Sequence, residues 1–397
     1  MNEKKKALVV NGYIWAIFMM TQVYMLLFEA IFNLDRNTFL KLIALLIMGL
    51  IIIALFFEKK VYIYNVIVIT LFTLVFILFL SLSNLKNVDY TIVQFGYYVL
   101  IPAYLVCQKF DIEFVLKDII YLSFFVILGI EKILVIQNYG ISQADMFNVY
   151  SMIPCILASI VHFIHFRDKS TFLLKIGYII NLYYLFRVGV NAVRGFWIVI
   201  ICLFGMEILF WLQKKNAKKT YDILLSIGIA LVIFILTNIK SILIWMIKFV
   251  QDTLKVSLGF FSKTAILLER GDLSNGRMEL WKDSIKCFFS SPIIGNGIDG
   301  VKIWSRGRIA YPHNFIIQLL VDGGILFGLL SISIAIIGFY KMIYKHVLEK
   351  ETLIAAIFLS SVSIPISMLS GDIWKSGSLW LTIFFYAKFI TSRKVKI

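Results

Sequence analysis

The chain alternates long apolar blocks with short polar ones. Runs of roughly 20 apolar residues, enough to carry a helix across a bilayer, recur along the whole sequence rather than at one end. About twelve can be marked out by that length. They are Gly12–Phe32, Phe39–Phe57, Val61–Leu82, Tyr90–Cys107, Ile112–Ile136, Phe147–Phe166, Phe172–Val193, Phe196–Leu212, Tyr221–Ile239, Gly323–Tyr344, Leu353–Leu369 and Ser376–Ile390. The first block follows MNEKKK and lacks a small-residue cleavage site, so it is expected to remain as a helix. The fold expected is all-α and polytopic.

Composition supports this. Of 397 residues, 60% are hydrophobic and 16% charged, more apolar than a soluble domain of this length can bury. The net charge of +16 would suit nucleic acid, but its placement argues against that partner. The basic clusters Lys4–Lys6, Lys59–Lys60, Lys109, Arg167 with Lys169, Lys214 to Lys219, Lys341 to Lys350 and Arg393 to Lys396 fall in alternate connections. That is the positive-inside pattern, and it predicts an even number of spans with both termini cytoplasmic. The four cysteines Cys107, Cys155, Cys202 and Cys287 are scattered, with neither a disulfide framework nor metal-ligand spacing. There is no internal repeat, so residues 1–397 read as one integral membrane domain.

In this topology one connection is large, the external stretch 238–322. Its first part, SILIWMIKFVQDTLKVSL, spaces Lys248, Asp252 and Lys255 on one helical face, which predicts a helix lying flat in the outer leaflet over 241–258; a thirteenth or re-entrant span is the alternative. Further on, Ser274 or Asn275 is a candidate N-cap, followed by an apolar stripe of Met278, Trp281, Ile285, Phe288 and Phe289. Arg277 then sits in the first turn, where free N–H groups and a guanidinium suit a phosphate. The segment GNGIDG, Gly295 to Gly300, spells a dinucleotide fingerprint without the surrounding βαβ unit. Its glycines are expected to allow a sharp turn or close approach to a sugar ring.

Polar groups at membrane depth are the other signal. In FRVGVNAVRG, Arg187, Asn191 and Arg194 are spaced four and three apart and share one helical face, which should line a cavity rather than lipid. Glu131 and Lys132 are expected to pair with each other. His162 and His165 lie at the other end of the sixth block, and Asp372 and Lys375 in the last external turn either touch substrate or face water. His313 and Asn314 stand where the large loop returns to the bilayer. An imidazole there can accept a proton near neutral pH, and Asn314 could orient it or bond a sugar hydroxyl. Gly323, Gly324 and Gly328 permit close helix approach.

An RG pair after an apolar span (Arg194, Gly195), a loop with NGRxxxW (Gly276, Arg277, Trp281) and SPIIGNG (Ser291, Pro292, Gly295, Gly297), then PHN (Pro312, His313, Asn314) and Gly324 with Gly328, occur in this order. The set resembles the O-antigen ligase and polymerase superfamily. Three residues rather than the commoner two separate Gly324 from Gly328. The resemblance implies a GT-C-like glycosyltransferase with short helices in its external loop. Its donor would be an oligosaccharide on undecaprenyl diphosphate and its acceptor a second lipid-linked chain. Arg194 and Arg277, with Arg187 in support, would bind the diphosphate, and His313 would act at the acceptor hydroxyl. A flippase and a chain-length regulator would be neighbours in the bacterial cytoplasmic membrane.

The chemistry is consistent with these residue types. Departure of a diphosphate from an anomeric carbon leaves negative charge that fixed guanidinium groups can stabilise, so neither a metal nor another cofactor is called for. The acceptor hydroxyl needs a base on the opposite face of the sugar, which predicts inversion. His313 is the first candidate and Asp299 the reserve. Asn314, Asp299 and Asn191 are also candidate substrate-positioning residues. The alternatives are a ligase with a lipid or protein acceptor and, from another class, a lipid-linked oligosaccharide transporter. Transporters tend to pair broken helices at the midplane; the five prolines and the absence of a repeat weigh against that reading.

Overall fold

The structure, a computed structural model, describes residues 3–58, 63–83, 88–134, 136–138, 142–144, 146–190, 194–214, 277–345 and 350–391, with single positions between 238 and 276. Six helices there are long and apolar enough to cross a membrane: Lys5–Phe32, Arg36–Glu58, Phe147–Lys169, Phe172–Gly189, Phe315–Met342 and Lys350–Leu369. Four shorter apolar helices, Ile69–Leu82, Thr91–Cys107, Gly195–Ile208 and Gly377–Ile390, accompany them among the described residues. The protein is a helical, multi-pass membrane protein. The expected block Tyr221–Ile239 lies outside the described residues apart from Asn238, and so does all but a few positions of the flat helix expected over 241–258.

The helices close around an aromatic core whose largest buried side chains include Trp15, Trp380, Tyr97 and Tyr184. Glu3–Phe32 packs on Arg36–Glu58 and Ile112–Ser123, Arg194–Lys214 on Lys350–Leu369, and Leu330–Lys345 on Gly377–Thr391. Outward rows stay apolar. Leu45, Ile52 and Phe56 on one helix, and Phe172, Ile179 and Phe186 on another, are exposed at helical spacing, a surface that suits lipid rather than water.

Three elements differ from the sequence expectation. The block Ile112–Ile136 is not one helix. Asp111 caps Ile112–Ser123 by accepting from the N–H groups of Glu113 and Phe114, after which the chain tightens into a 3-10 turn at Phe124–Leu128 and resumes for one turn at Ile130–Ile133. Between the last two lies Gly129, with the side chain of Leu27 where its Cβ would stand. Next, Ile136–Asn138 pairs antiparallel with Ser142–Ala144, a hairpin too short and too polar to show an alternating pattern in an otherwise helical chain. Finally, the returning helix starts at Phe315, well before the expected Gly323, because Asn314 caps it. It breaks at Gly324, whose φ is 62°, passes through a π-turn at Ile325–Leu329, and continues as Leu330–Lys345. A π-turn accommodates one extra residue in a helix, and the additional residue between Gly324 and Gly328 falls inside it.

Candidate active site

The loop motifs come together around the start of the returning helix. Arg277–Ser290 begins from Gly276, whose left-handed φ of 78° favours glycine. Gly276 occupies the cap position expected for Ser274 or Asn275, while the Ser274 hydroxyl accepts weakly from the Met278 N–H at 3.4 Å. The expected apolar stripe divides between two faces. Met278, Ile285 and Phe289 point outward, with Phe289 69% exposed, whereas Ser284 and Cys287 are buried and Leu280 and Phe288 pack on the small cluster Cys287, Val301, Ile309 and Val321. In a membrane protein an apolar side chain can meet lipid instead of core, so hydrophobicity alone does not identify the inward face.

Trp281 faces inward and its indole N–H donates to the Pro312 carbonyl at 3.0 Å. This bond ties the first turns of the loop helix to the residue before His313. His313 holds a left-handed φ of 57°, uncommon for a residue with a Cβ. Its ring lies 4.3 Å from that of Tyr311, centroid to centroid, and its Nδ1 is buried with no hydrogen-bond partner among the described residues. Burial, and then the nearby Arg277 guanidinium, hold the imidazole below its ordinary pKa, so it is neutral and able to accept a proton at neutral pH. Asn314 accepts from the N–H groups of Ile316 and Ile317 at 3.0 and 3.2 Å. It is a helix cap that fixes the backbone beside His313.

The SPIIGNG segment is a strap laid over the glycine break. Ile325 and Leu326 donate to the carbonyls of Pro292 and Ile293, and Asn296 and Gly297 donate to those of Val321 and Asp322, all between 2.8 and 3.1 Å. A Cβ on Gly324 would meet the Ile293 carbonyl, and one on Gly295 the Asp322 carbonyl. Gly295 and Gly324 thus admit another stretch of this chain, and Gly295 and Gly297, at φ 80° and 76°, make the sharp turn expected of this segment.

The returning helix carries a buried polar row at four-residue spacing, Asn314, Gln318 and Asp322. Gln318 donates to Asp372 at 2.7 Å, accepts from the Ile373 N–H, and lies 3.5 Å from Asp322, which also accepts from the Trp374 indole at 2.9 Å. Asp372 is 8% exposed, caps the Ile373–Lys375 turn, and lies 3.6 Å from Lys375. Burial pushes its carboxyl above the usual range, although Lys375 pulls the other way. Beside this turn is a cavity of about 310 Å³, whose lining includes Phe18, Tyr98, Tyr150, Tyr311, Asp372 and Lys375.

The remaining candidates are distributed. Gly195 packs on Tyr150 and Leu369 with no room for a Cβ, which places the first turn of the Arg194–Lys214 helix against the cavity wall. The side chains of Arg194 and Asn191 lie outside the described residues. Arg187 is held by Glu131 at 2.8 Å, with the Tyr183 hydroxyl donating to the same carboxylate. The expected pairing of Glu131 with Lys132 is thus replaced by a long-range one, and Lys132 donates to the Ala30 carbonyl. Asp299, at φ 60°, stands at the cap position of Gly300–Trp304 and pairs with Lys302 at 3.3 Å. His162 bonds Tyr178, and His165 bonds Glu207. Sequence reasoning missed Gln318 and Asp322. Two polar residues one turn apart inside an apolar run were the available signal.

Residues 179–333 match the family model described as O-antigen ligase. The match, over less than half of the chain, supports the resemblance to the O-antigen ligase and polymerase superfamily. No curated protein and no solved structure matches the chain. The matched segment spans the RG pair, the loop helix with Arg277 and Trp281, the strap and the His313–Asn314 turn, and the fold joins the last three of these.

Proposed function

We propose that this chain is a membrane glycosyltransferase that polymerises oligosaccharide repeat units from undecaprenyl-diphosphate-linked donors at the outer face of the cytoplasmic membrane. The observation that carries the reading is the setting of His313: a neutral, partly buried imidazole next to Arg277, on a turn fixed by Trp281 and Asn314. The imidazole accepts the proton of the acceptor hydroxyl as its oxygen bonds to the anomeric carbon. The bond from that carbon to the diphosphate breaks with its electron pair leaving on the phosphate oxygen, and one such displacement inverts the centre. Arg277, together with Arg194, stabilises the departing charge in this reading. Arg187, the third expected diphosphate ligand, is already paired with Glu131.

The description of the matched family favours a second reading, ligation onto a different acceptor. Purified protein in liposomes, given labelled lipid-linked repeat units and no ion gradient, tests both. A ladder of repeat lengths supports polymerisation, and a single jump onto an added lipid acceptor supports ligation. Passage of unaltered lipid across the bilayer without transfer would overturn both.

A further inference from the structure

The lining of the cavity beside the last external turn combines two unlike sets of residues. Phe18, Tyr98, Tyr150 and Tyr311 supply aromatic rings, and Ser370, Asp372, Lys375, Ser376 and Ser378, all in or next to the last turn, supply polar groups. At about 310 Å³ it is at the small end of ligand sites. A lipid tail would leave a carboxylate, an ammonium and hydroxyls facing hydrocarbon, which is costly. A free phosphate would leave the aromatic rings unused and meet Asp372. A sugar ring offers both surfaces, apolar C–H faces for the aromatic rings and hydroxyls for the polar groups.

Asp372 is built for the second task. Oδ1 is fixed by the Gln318 amide and the Trp374 N–H, at 2.7 and 3.1 Å, while Oδ2 has Lys375 at 3.6 Å, longer than a direct hydrogen bond. Gln318 stands one helical turn beyond Asn314, so the carboxylate is tied through one rigid helix to the turn carrying His313. Tyr311 closes the connection, lining the cavity on one side and packing against the His313 ring on the other.

We infer that this cavity is a glycan subsite in which Asp372 accepts a hydrogen bond from a hydroxyl of a sugar ring of the lipid-linked oligosaccharide. This deepens the reading above and rests on it for the identity of the glycan. Asp372 is a positioning residue and does not touch the reacting bond.

The test is equilibrium binding to the full chain in nanodiscs, with two probes: undecaprenyl diphosphate, and the same lipid carrying its repeat unit from the host cell. The wild type should bind the sugar-bearing lipid at least about tenfold more tightly, the scale of one hydrogen bond to a charged group. Asp372→Asn, which keeps the Oδ1 acceptor, should remove most of that preference while bare undecaprenyl diphosphate binds as before. Ser378→Ala, among the same polar groups, should reduce it less. Unchanged tryptophan fluorescence and thermal midpoint show that each variant is folded. Oligosaccharide released from the lipid by mild acid separates the two sources: competition with transfer at saturating donor assigns the subsite to the acceptor sugar, and competition with donor binding assigns it to the donor. Equal affinity of the wild type for both lipids, or an Asp372→Asn protein with the full preference, would overturn the inference. A wild type that prefers the sugar-bearing lipid but transfers nothing would keep the subsite and remove the proposed reaction.

Discussion

The helical frame and the loop-and-return segment are held by different forces. In the frame, Ile153–Phe166 and Lys350–Leu369 bury nearly continuous runs, such as Ile156, Leu157 and Ala158, or Ala355 to Leu359, and cohesion comes from close packing of apolar side chains. In the segment from Arg277 to Gly328, the buried apolar cluster is small, and position is set by backbone bonds across the glycine break, an indole bond to Pro312 and an asparagine cap. Packing tolerates small shifts, whereas hydrogen bonds of about 3 Å fix direction. The proposed site, which must hold a guanidinium beside an imidazole, therefore stands on the second kind of structure.

Substitutions in the two regions should separate stability from chemistry. The largest effect belongs to His313. His313→Asn keeps a residue that tolerates a left-handed φ and removes the proposed base. Transfer should fall by about 10²–10⁴, the usual scale for a general base, with an unchanged thermal midpoint. Transfer within threefold of the wild type would exclude His313 as the base. Arg277→Ala follows, with a loss of about 10² in kcat and a weaker response to the diphosphate, as expected when one fixed donor to a developing anion is lost.

The frame should show the opposite pattern. Ile156→Ala opens a cavity in the buried Ile153–Phe166 helix and should cost about 2 kcal/mol of stability, read as a lower thermal midpoint, with kcat/KM of the folded fraction unchanged. A smaller effect is expected at Trp281. Trp281→Phe keeps the ring and loses the bond to Pro312, so kcat should fall about fivefold, corresponding to about 1 kcal/mol, with little change in the midpoint. An equal loss of stability at Trp281 and Ile156 would erase the distinction between the regions.

The same contrast explains what the sequence could convey. Helices long enough to span, the Arg277 and His313 motifs and their order along the chain are local patterns, and they are visible in the amino acids alone. The Arg187–Glu131 pair, the Gly295–Asp322 contact and the Gln318–Asp372 bond join residues far apart in sequence, and no periodicity marks them. The inward face of the Arg277 helix was hidden for a different reason. In a membrane protein both faces can be apolar, so Phe289 and Phe288 look alike until the neighbours are in place.

The smallest effect concerns protons. Burial and the Arg277 charge both hold the His313 imidazole below its unperturbed value of about 6.5. In the proposed reaction its working form is the neutral one, so the acidic limb of kcat/KM should lie below pH 6.5 in the wild type. Arg277→Gln removes the lesser of the two causes and should move the limb upward toward 6.5 without reaching it, since burial is the larger cause. For stability, an unfolded imidazole binds a proton in the interval between the depressed folded value and about 6.5, where the folded one does not. Acidification through that interval should therefore lower the thermal midpoint of the wild type more than that of His313→Asn. An acidic limb that stays in place in Arg277→Gln would show that guanidinium and imidazole do not sense each other, and the loop would then lack the juxtaposition on which its chemistry depends.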